Sequence, residues 1–174
     1  MFRHILFITL LLFSFKGSAQ SWHPLGAGTN DAVFSMAVYN GELYIGGMFK
    51  TAGGIHAANI ARWNGISWDS VGRGMDTTIR ALIVYNGELY AGGDFNFADG
   101  IYVGHIAKWN GTNWSPVGAG MGGLGIINAF AVYNGKLYAG GYFSTADNLT
   151  TNNIARYNGT NWDSVRSGIT GPYP

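Results

Sequence analysis

The sequence predicts an all-β fold of short antiparallel strands repeated along the chain, and three observations carry that class. The 174 residues include 28 glycines and are 15% aromatic, a composition suited to tight turns and extended segments packed on flat rings. The segment Val38-Tyr39-Asn40-Gly41-Glu42-Leu43-Tyr44-Ile45-Gly46-Gly47 returns at residues 84–93 and 132–141, at offsets of 46 and 48. A second block, Ile60-Ala61-Arg62-Trp63-Asn64-Gly65, returns at 106–111 and 154–159, and Trp22, Trp68, Trp114 and Trp162 keep step with both. Each repeat reads as four short strands, the pattern of one β-propeller blade. The units span residues 22–67, 68–113 and 114–161, with a partial fourth from 162.

The first hairpin of each unit turns on Asn-Gly, which supplies positive φ at both central positions of a type I′ turn. A two-residue loop at Asn40-Gly41 sets Tyr39 against Glu42, Val38 against Leu43, Ala37 against Tyr44 and Met36 against Ile45. Both faces of that hairpin are then largely apolar and need cover on both sides, as blades stacked around an axis provide. The second hairpin runs from Ile60 through Asn64-Gly65 to Val71. It is more polar, suits the outer part of a blade, and is expected to use the same turn. Gly46-Gly47 and its copies at 92–93 and 140–141 let backbones approach where strands converge.

The distance from each tryptophan to the next Val-Tyr-Asn-Gly is 16, 16 and 18 residues, while the other marker spacings hold at 22 and 8. The two extra residues fall in 118–127, whose five glycines predict a mobile surface crossover. Trp22-His23-Pro24-Leu25-Gly26 reads as a lone fourth strand ahead of three sets of first, second and third strands. Trp162-Asp163-Ser164-Val165 closes the series as the last fourth strand, the offset that circular closure uses. Three blades fall below the roughly four to eight of a propeller. The expectation is an incomplete propeller or open arc: a fragment of a longer protein, or a unit completed by self-association through its open blade faces.

The pattern L-Y-x-G-G-x-F, a loop, then I-A-[RK]-[WY]-N-G-x-x-W covers essentially everything after the N-terminal segment. It resembles the kelch-like β-propeller repeats of secreted Bacteroidetes proteins and is similar to repeats of the fungal cortical polarity-marker family. The tyrosine ahead of the double glycine departs from the ordinary kelch motif. The resemblance implies a propeller and an exported protein, and leaves the role open, since such propellers serve many.

Residues 1–19 read as a secretory signal peptide: Arg3 at the start, an apolar stretch from Ile5 to Phe15, and Gly17-Ser18-Ala19 before Gln20. The apolar run is too short for a membrane span, so none is expected in the mature chain, residues 20–174, which is placed outside the cell, on its surface or in a periplasm. Without Arg3 and Lys16 the chain has eight basic and nine acidic residues, with no patch to attract nucleic acid. It has no cysteine, so disulfides, thiolate metal sites and a cysteine nucleophile are excluded.

The repeated aromatics, including Phe49, Phe95 and Phe143, are read as packing rather than as a sugar-stacking platform. Arg62, Lys108 and Arg156 recur as a set; pairing across the hairpin is favoured over a ring for an anionic ligand. His23, His56 and His105 fall at non-equivalent positions without metal-ligand spacing. Asp94, Asp99 and Asp147 share a loop type that could hold calcium, but matching of Asp99-Gly100 and Asp147-Asn148 to Gly53-Gly54 points to turn chemistry. No nucleophile elbow, phosphate loop or recurring acid pair is present, and neither an enzyme nor a cofactor is expected. The loops joining the two hairpins, 50–59, 96–105 and 144–153, differ most between repeats. Lys50, His56, Asn96, Tyr102 and His105 are therefore the candidate contacts of a module that binds a protein or forms part of a surface assembly, the alternatives being a glycan-binding propeller and, after it, a propeller hydrolase.

Overall fold

The computed structural model describes residues 23–169; the predicted signal peptide and Trp22 lie outside them. The first blade comprises β1 (Val33–Tyr39), β2 (Glu42–Gly47), the small hairpin β3 (Thr51–Ala52) and β4 (Ile55–His56), then β5 (Ile60–Trp63) and β6 (Trp68–Ser70). The second repeats this as β7 (Ile79–Tyr85), β8 (Glu88–Gly93), β9 (Phe97–Ala98), β10 (Ile101–Tyr102), β11 (Ile106–Trp109) and β12 (Trp114–Pro116). The third has an added short strand, β13 (Met121–Gly122), before β14 (Ile126–Tyr133), β15 (Lys136–Tyr142), β16 (Thr145–Ala146), β17 (Leu149–Thr150), β18 (Ile154–Tyr157) and β19 (Trp162–Ser164). Each blade is a four-stranded antiparallel sheet in the order β1-β2-β5-β6, β7-β8-β11-β12 or β14-β15-β18-β19. The innermost strands β1, β7 and β14 lie side by side. No helix among the described residues is long and apolar enough to cross a membrane.

Local chemistry accounts for these sheets. Asn40 and Gly41 take φ of 50° and 80°, and the copies at 86–87 and 134–135 match them. The register follows from the two-residue loop: Tyr39 faces Glu42, Val38 faces Leu43, Ala37 faces Tyr44 and Met36 faces Ile45. The second hairpins depart from expectation. Only the glycine of Asn64-Gly65 takes positive φ, and Trp63 pairs with Trp68 across a four-residue loop. There the Asn64 carboxamide oxygen accepts the amides of Ile66 and Ser67, both at 2.9 Å. An asparagine that closes its own turn in this way needs no left-handed backbone, and Asn110 and Asn158 do the same.

Blades pack through equivalent faces. Tyr39, Tyr44 and Ile60 of the first blade share a core with Ile79, Leu82 and Trp109 of the second. Tyr85, Tyr90 and Ile106 repeat the arrangement against Ile127, Leu137 and Tyr157 of the third. The paired glycines divide the work. A Cβ on Gly46 would lie 2.5 Å from Ile79 of the next blade, and one on Gly92 2.7 Å from Ile127; a Cβ on Gly47, Gly93 or Gly141 would lie 2.0 to 2.2 Å from the backbone carbonyl oxygen of Ala32, Thr78 or Ile126, at the start of the blade's own first strand or one residue before it. The first glycine admits the neighbouring blade and the second admits the innermost strand.

The crossovers stitch neighbours together. The Trp114 indole N–H donates to the Val71 carbonyl and that of Trp162 to Val117, both at 3.4 Å. The residues that follow bond both blades: the Met75 amide donates to Ala58, while Met75 bridges Ala98. Two sequence expectations change here. Residues 23–26, expected within a lone fourth strand, form none; Leu25 instead accepts the Trp68 indole N–H at 2.8 Å, occupying the place that Val71 and Val117 hold later. The glycine-rich crossover is largely tied down. Its two extra residues allow the single bridge of the other crossovers to become β13, paired with β16. Gly123 and Gly125, both at positive φ, turn the chain back into β14.

Candidate functional site

The two ends of the innermost strands differ in chemistry. One end consists of the repeated Asn-Gly turns. At the other, each first strand has a bulge, between Val33 and Ser35, Ile79 and Ala81, and Ile127 and Ala129. The skipped residues are Phe34, Arg80 and Asn128, three unrelated side chains at one structural position. Bulges characteristically re-aim a side chain at a functional rim. Immediately after the double glycines stand Met48, Asp94 and Tyr142, again all different. The crossovers and the small hairpins β3–β4, β9–β10 and β16–β17 emerge at this same end. A repeat that keeps the tyrosines and isoleucine of one blade face unchanged while varying one rim in size and charge is built as a scaffold with a chemically individual surface.

At the centre of that rim, Arg80 grips Asp94 through two parallel bonds, Nε to Oδ1 at 2.6 Å and Nη2 to Oδ2 at 2.9 Å. The carboxylate holds the guanidinium pKa above its ordinary value, and the Tyr142 side chain of the next blade lies within electrostatic reach. Tyr142 is 45% exposed. His105 lies near Asp94: burial pushes its imidazole pKa below the usual range, opposed by its interaction with Asp94 and the charge of Asp76, and its buried Nδ1 has no hydrogen-bond partner among the described residues. Its ring closely overlies Gly125, where any Cβ would clash.

Farther out, Phe97 and Tyr102 face each other across the β9–β10 hairpin, with ring centroids 5.6 Å apart in an edge-to-face arrangement. They are 43% and 59% exposed, and Ile101 beside them is also exposed. The equivalent pairs are Thr51 with His56 and Thr145 with Thr150, so the aromatic tip belongs to the second blade alone. A groove of about 280 Å³ runs beside it, lined by Arg73, Met75, Asp76, Phe97 and two glycines.

The five residues nominated from the loops separate in the structure. Tyr102 is on the aromatic tip. Lys50 Nζ instead donates to Asn59 Oδ1 at 2.6 Å, and His56 is exposed opposite Thr51 on another blade. The Asn96 backbone is tied into the loop: its main-chain amide donates to Asp76 Oδ1 at 3.0 Å, while its carbonyl accepts Val103 and Gly104. His105, at φ 72°, is half-buried with its ring against Gly125. The sequence reading missed Arg80, Asp94 as its partner, Tyr142 and Phe97. The signal available was that these positions break the repeat.

The basic set pairs between strands. Arg62 reaches Glu42 at 3.2 Å and Asp69 at 3.6 Å, Lys108 reaches Glu88 at 2.8 Å, and Arg156 reaches Asp163 at 3.5 Å. These partly exposed pairs contribute about 0 to 1 kcal/mol each. The remaining carboxylates hold backbone: Asp31 accepts Ala32 N–H at 2.7 Å, Asp76 also accepts Phe97 N–H, Asp99 accepts Arg73 N–H at 2.5 Å, and Asp147 accepts Ala119 N–H. Asp99 and Asp147 take φ of 52° and 49°, as turn residues matching Gly53. Every one of the chain's nine carboxylates thus has a partner that serves the fold. Among the described residues, no three His, Asp or Glu side chains converge as a metal site would require.

Residues 134–162 match the family model described as a β-propeller domain of unknown function, DUF5122. That stretch runs from the third blade's Asn-Gly turn to the first residue of β19, which is the second, third and start of the fourth strand of one blade. No curated protein matches the chain. The sheets, their blade-to-blade packing and this match agree on an all-β chain made of three propeller blades, similar to the DUF5122 β-propellers.

Proposed function

We propose that this chain is a non-catalytic, exported propeller module of the kelch-like kind that binds a protein partner through its variable rim. One observation carries the reading: Tyr39, Tyr44 and Ile60 on one blade face are unchanged in all three repeats, whereas equivalent rim positions hold Phe34, Arg80 and Asn128, or Met48, Asp94 and Tyr142. Partly exposed aromatic and aliphatic side chains beside a fixed Arg–Asp pair match the composition of protein interfaces, in which aromatic residues, Met and Arg are enriched. The non-catalytic part rests on the sequence, which has no nucleophile elbow, phosphate loop or recurring acid pair. Export rests on the 1–19 segment.

The test places a photo-crosslinking residue at position 102 or 142, with position 66 at the opposite end as control, in cells that make the protein. Ile66 is strongly exposed. A discrete crosslinked protein from 102 and 142, absent from 66 and lost on Phe97→Ala, is the expected result. The glycan reading has its own support in the groove between Phe97, Arg73 and Asp76. Saturable glycan-array signals lost on Tyr102→Ala, without a protein crosslink, would replace the protein reading. Turnover of a glycoside or ester abolished by one Asp or Glu change would overturn both.

A further inference from the structure

We infer that the groove beside the aromatic tip of the second blade binds a small zwitterion, a free α-amino acid with an apolar side chain. Arg73 and Asp76 both line this groove of about 280 Å³, with Met75, Phe97 and Gly100, and both are exposed. They are not paired with each other. The Arg73 guanidinium donates through Nη2 to the Asp99 backbone carbonyl, and Asp76 Oδ1 accepts the main-chain amides of Asn96 and Phe97, both at 3.0 Å. Among the described residues, a guanidinium without a carboxylate partner and a carboxylate without a cationic one thus share a single recess.

The sister blades show which of these side chains the fold does without. At the position of Asp76 the preceding crossover has Asn30, whose Oδ1 accepts the amides of Lys50 and Thr51, both at 2.8 Å. A neutral carboxamide makes the same two bonds, so the charge of Asp76 is surplus to the turn. At the position of Arg73 stand Ala27 and Ala119, so the crossover forms without a guanidinium. Phe97 takes the place of Thr51 and Thr145. Gly100 completes the arrangement: a Cβ there would lie 2.7 Å from Arg73 Nη2, whereas Asn148 occupies the equivalent turn position in the third blade at φ 63°. The turn itself accepts a side chain, but at 100 that side chain would displace the guanidinium. Three residues that differ from their sisters, and a glycine that makes room for one of them, meet in this groove.

Their chemistry identifies the ligand. Arg73 uses only Nη2 of its guanidinium and keeps donors for a carboxylate, which it binds through charge-assisted bonds. Asp76 uses Oδ1 for the turn, which leaves Oδ2 for an ammonium. Phe97 supplies an exposed apolar wall, with the Tyr102 ring edge-on to it, for an aliphatic or aromatic side chain. A ligand of a single sign would meet one like charge in the groove, and a neutral one would desolvate both charges without pairing them. An α-amino acid carries both charges and one apolar group on a single carbon, and a recess of this volume admits one small molecule. The site does not rest on the protein-partner reading, which draws on the whole rim.

Ligand-observed NMR titration of the full chain with L-phenylalanine and L-leucine tests this. N-acetyl-L-phenylalanine and L-phenylalaninamide, which keep only the carboxylate or only the ammonium, serve as analogues. Saturable binding of both amino acids at millimolar concentration is expected, weaker by about tenfold or more for each analogue. Asp76→Asn, which keeps the turn bonds as Asn30 does, should cut affinity for L-phenylalanine by about tenfold and leave that for N-acetyl-L-phenylalanine unchanged. Arg73→Ala should act conversely, sparing L-phenylalaninamide. The analogue series is read on the unaltered chain, so it decides the matter even where a variant folds poorly. No saturable binding of either amino acid overturns the proposal, as do analogues that bind as well as L-phenylalanine. Preferential binding of a neutral monosaccharide overturns it as well and gives the groove to the glycan reading. A protein crosslink from position 142, on another blade, is unaffected by any of these outcomes, which separates the two readings.

Discussion

Replacing the first glycine of each pair by alanine applies one perturbation at three equivalent positions, with the next blade as the only variable. None of Gly46, Gly92 and Gly140 takes a positive φ, so alanine meets no backbone penalty, and reduced freedom of the unfolded chain contributes about 0.4 to 1 kcal/mol of stability. At Gly46 the new Cβ would lie 2.5 Å from Ile79 Cγ2 and 3.3 Å from Leu82 Cδ1; at Gly92, 2.7 Å from Ile127 Cγ2 and from Phe130 Cζ. Overpacking of that kind costs about 1 to 3 kcal/mol. The net is a loss of about 1 to 2 kcal/mol at Gly46 and Gly92 and a gain of about 0.5 kcal/mol at Gly140. For a chain of this size that is a fall of roughly 2 to 8 °C in Tm against a rise of about 1 to 2 °C. Thermal unfolding followed by circular dichroism reads this directly. Alanine at Gly47, Gly93 and Gly141 is the internal control, since all three face their own first strand and should lose stability alike. Equal losses at Gly46, Gly92 and Gly140 would refute the argument that the first glycine exists to admit the neighbouring blade.

Three further outcomes follow from other sites. His105 has its pKa lowered by burial, so the unfolded chain takes up the proton first. Its contribution to stability is therefore whole above about pH 6.5 and lost as pH falls from there through the folded-state pKa. Urea titrations between pH 8 and 4 should show that component disappear in His105→Asn, which installs the residue found at positions 59 and 153. Trp114→Phe removes the indole N–H that reaches Val71 in the crossover and should cost about 1 kcal/mol in denaturant unfolding, with the second blade's amides losing hydrogen-exchange protection ahead of the third's. Phe97→Ala and Tyr102→Ala, at an exposed tip, should change unfolding free energy by less than about 0.5 kcal/mol, so that any loss of partner binding reflects contact rather than misfolding.

The parts of this fold that were legible in the sequence are those whose cause is local. Asn40-Gly41 dictates a type I′ turn, and from that turn the pairing of Tyr39 with Glu42 and every later pair follows by counting. The aromatics repeat in step because they pack in step, so their structural reading also came from sequence. Asn64-Gly65 shows the limit of local inference: asparagine can adopt positive φ or act as acceptor for the amides that follow, and the dipeptide looks the same either way. The 118–127 segment misleads for a different reason. Its glycines read as freedom, but they accommodate partners far away in sequence, such as His105 over Gly125 and Ser144, whose amide donates to Gly122. Of the candidate site, Tyr102 was visible because hairpin loops are where repeats diverge. Arg80 and Asp94 were hidden by a one-residue bulge: regular strand alternation does not reveal that position 80 leaves the ladder and meets the residue after the double glycine.

The crossover stitch has a consequence for how such a chain changes its length over evolutionary time. Each tryptophan is anchored by a carbonyl from the preceding unit, and each unit ends by offering the same carbonyl onward, Leu25 to Trp68, Val71 to Trp114 and Val117 to Trp162. Duplicating or deleting one stretch from tryptophan to tryptophan therefore leaves every remaining anchor with a donor and an acceptor, wherever the cut falls. Copy number can drift by whole units without a compensating substitution, and the rim acquires a new set of side chains with each duplication while the interior is inherited intact.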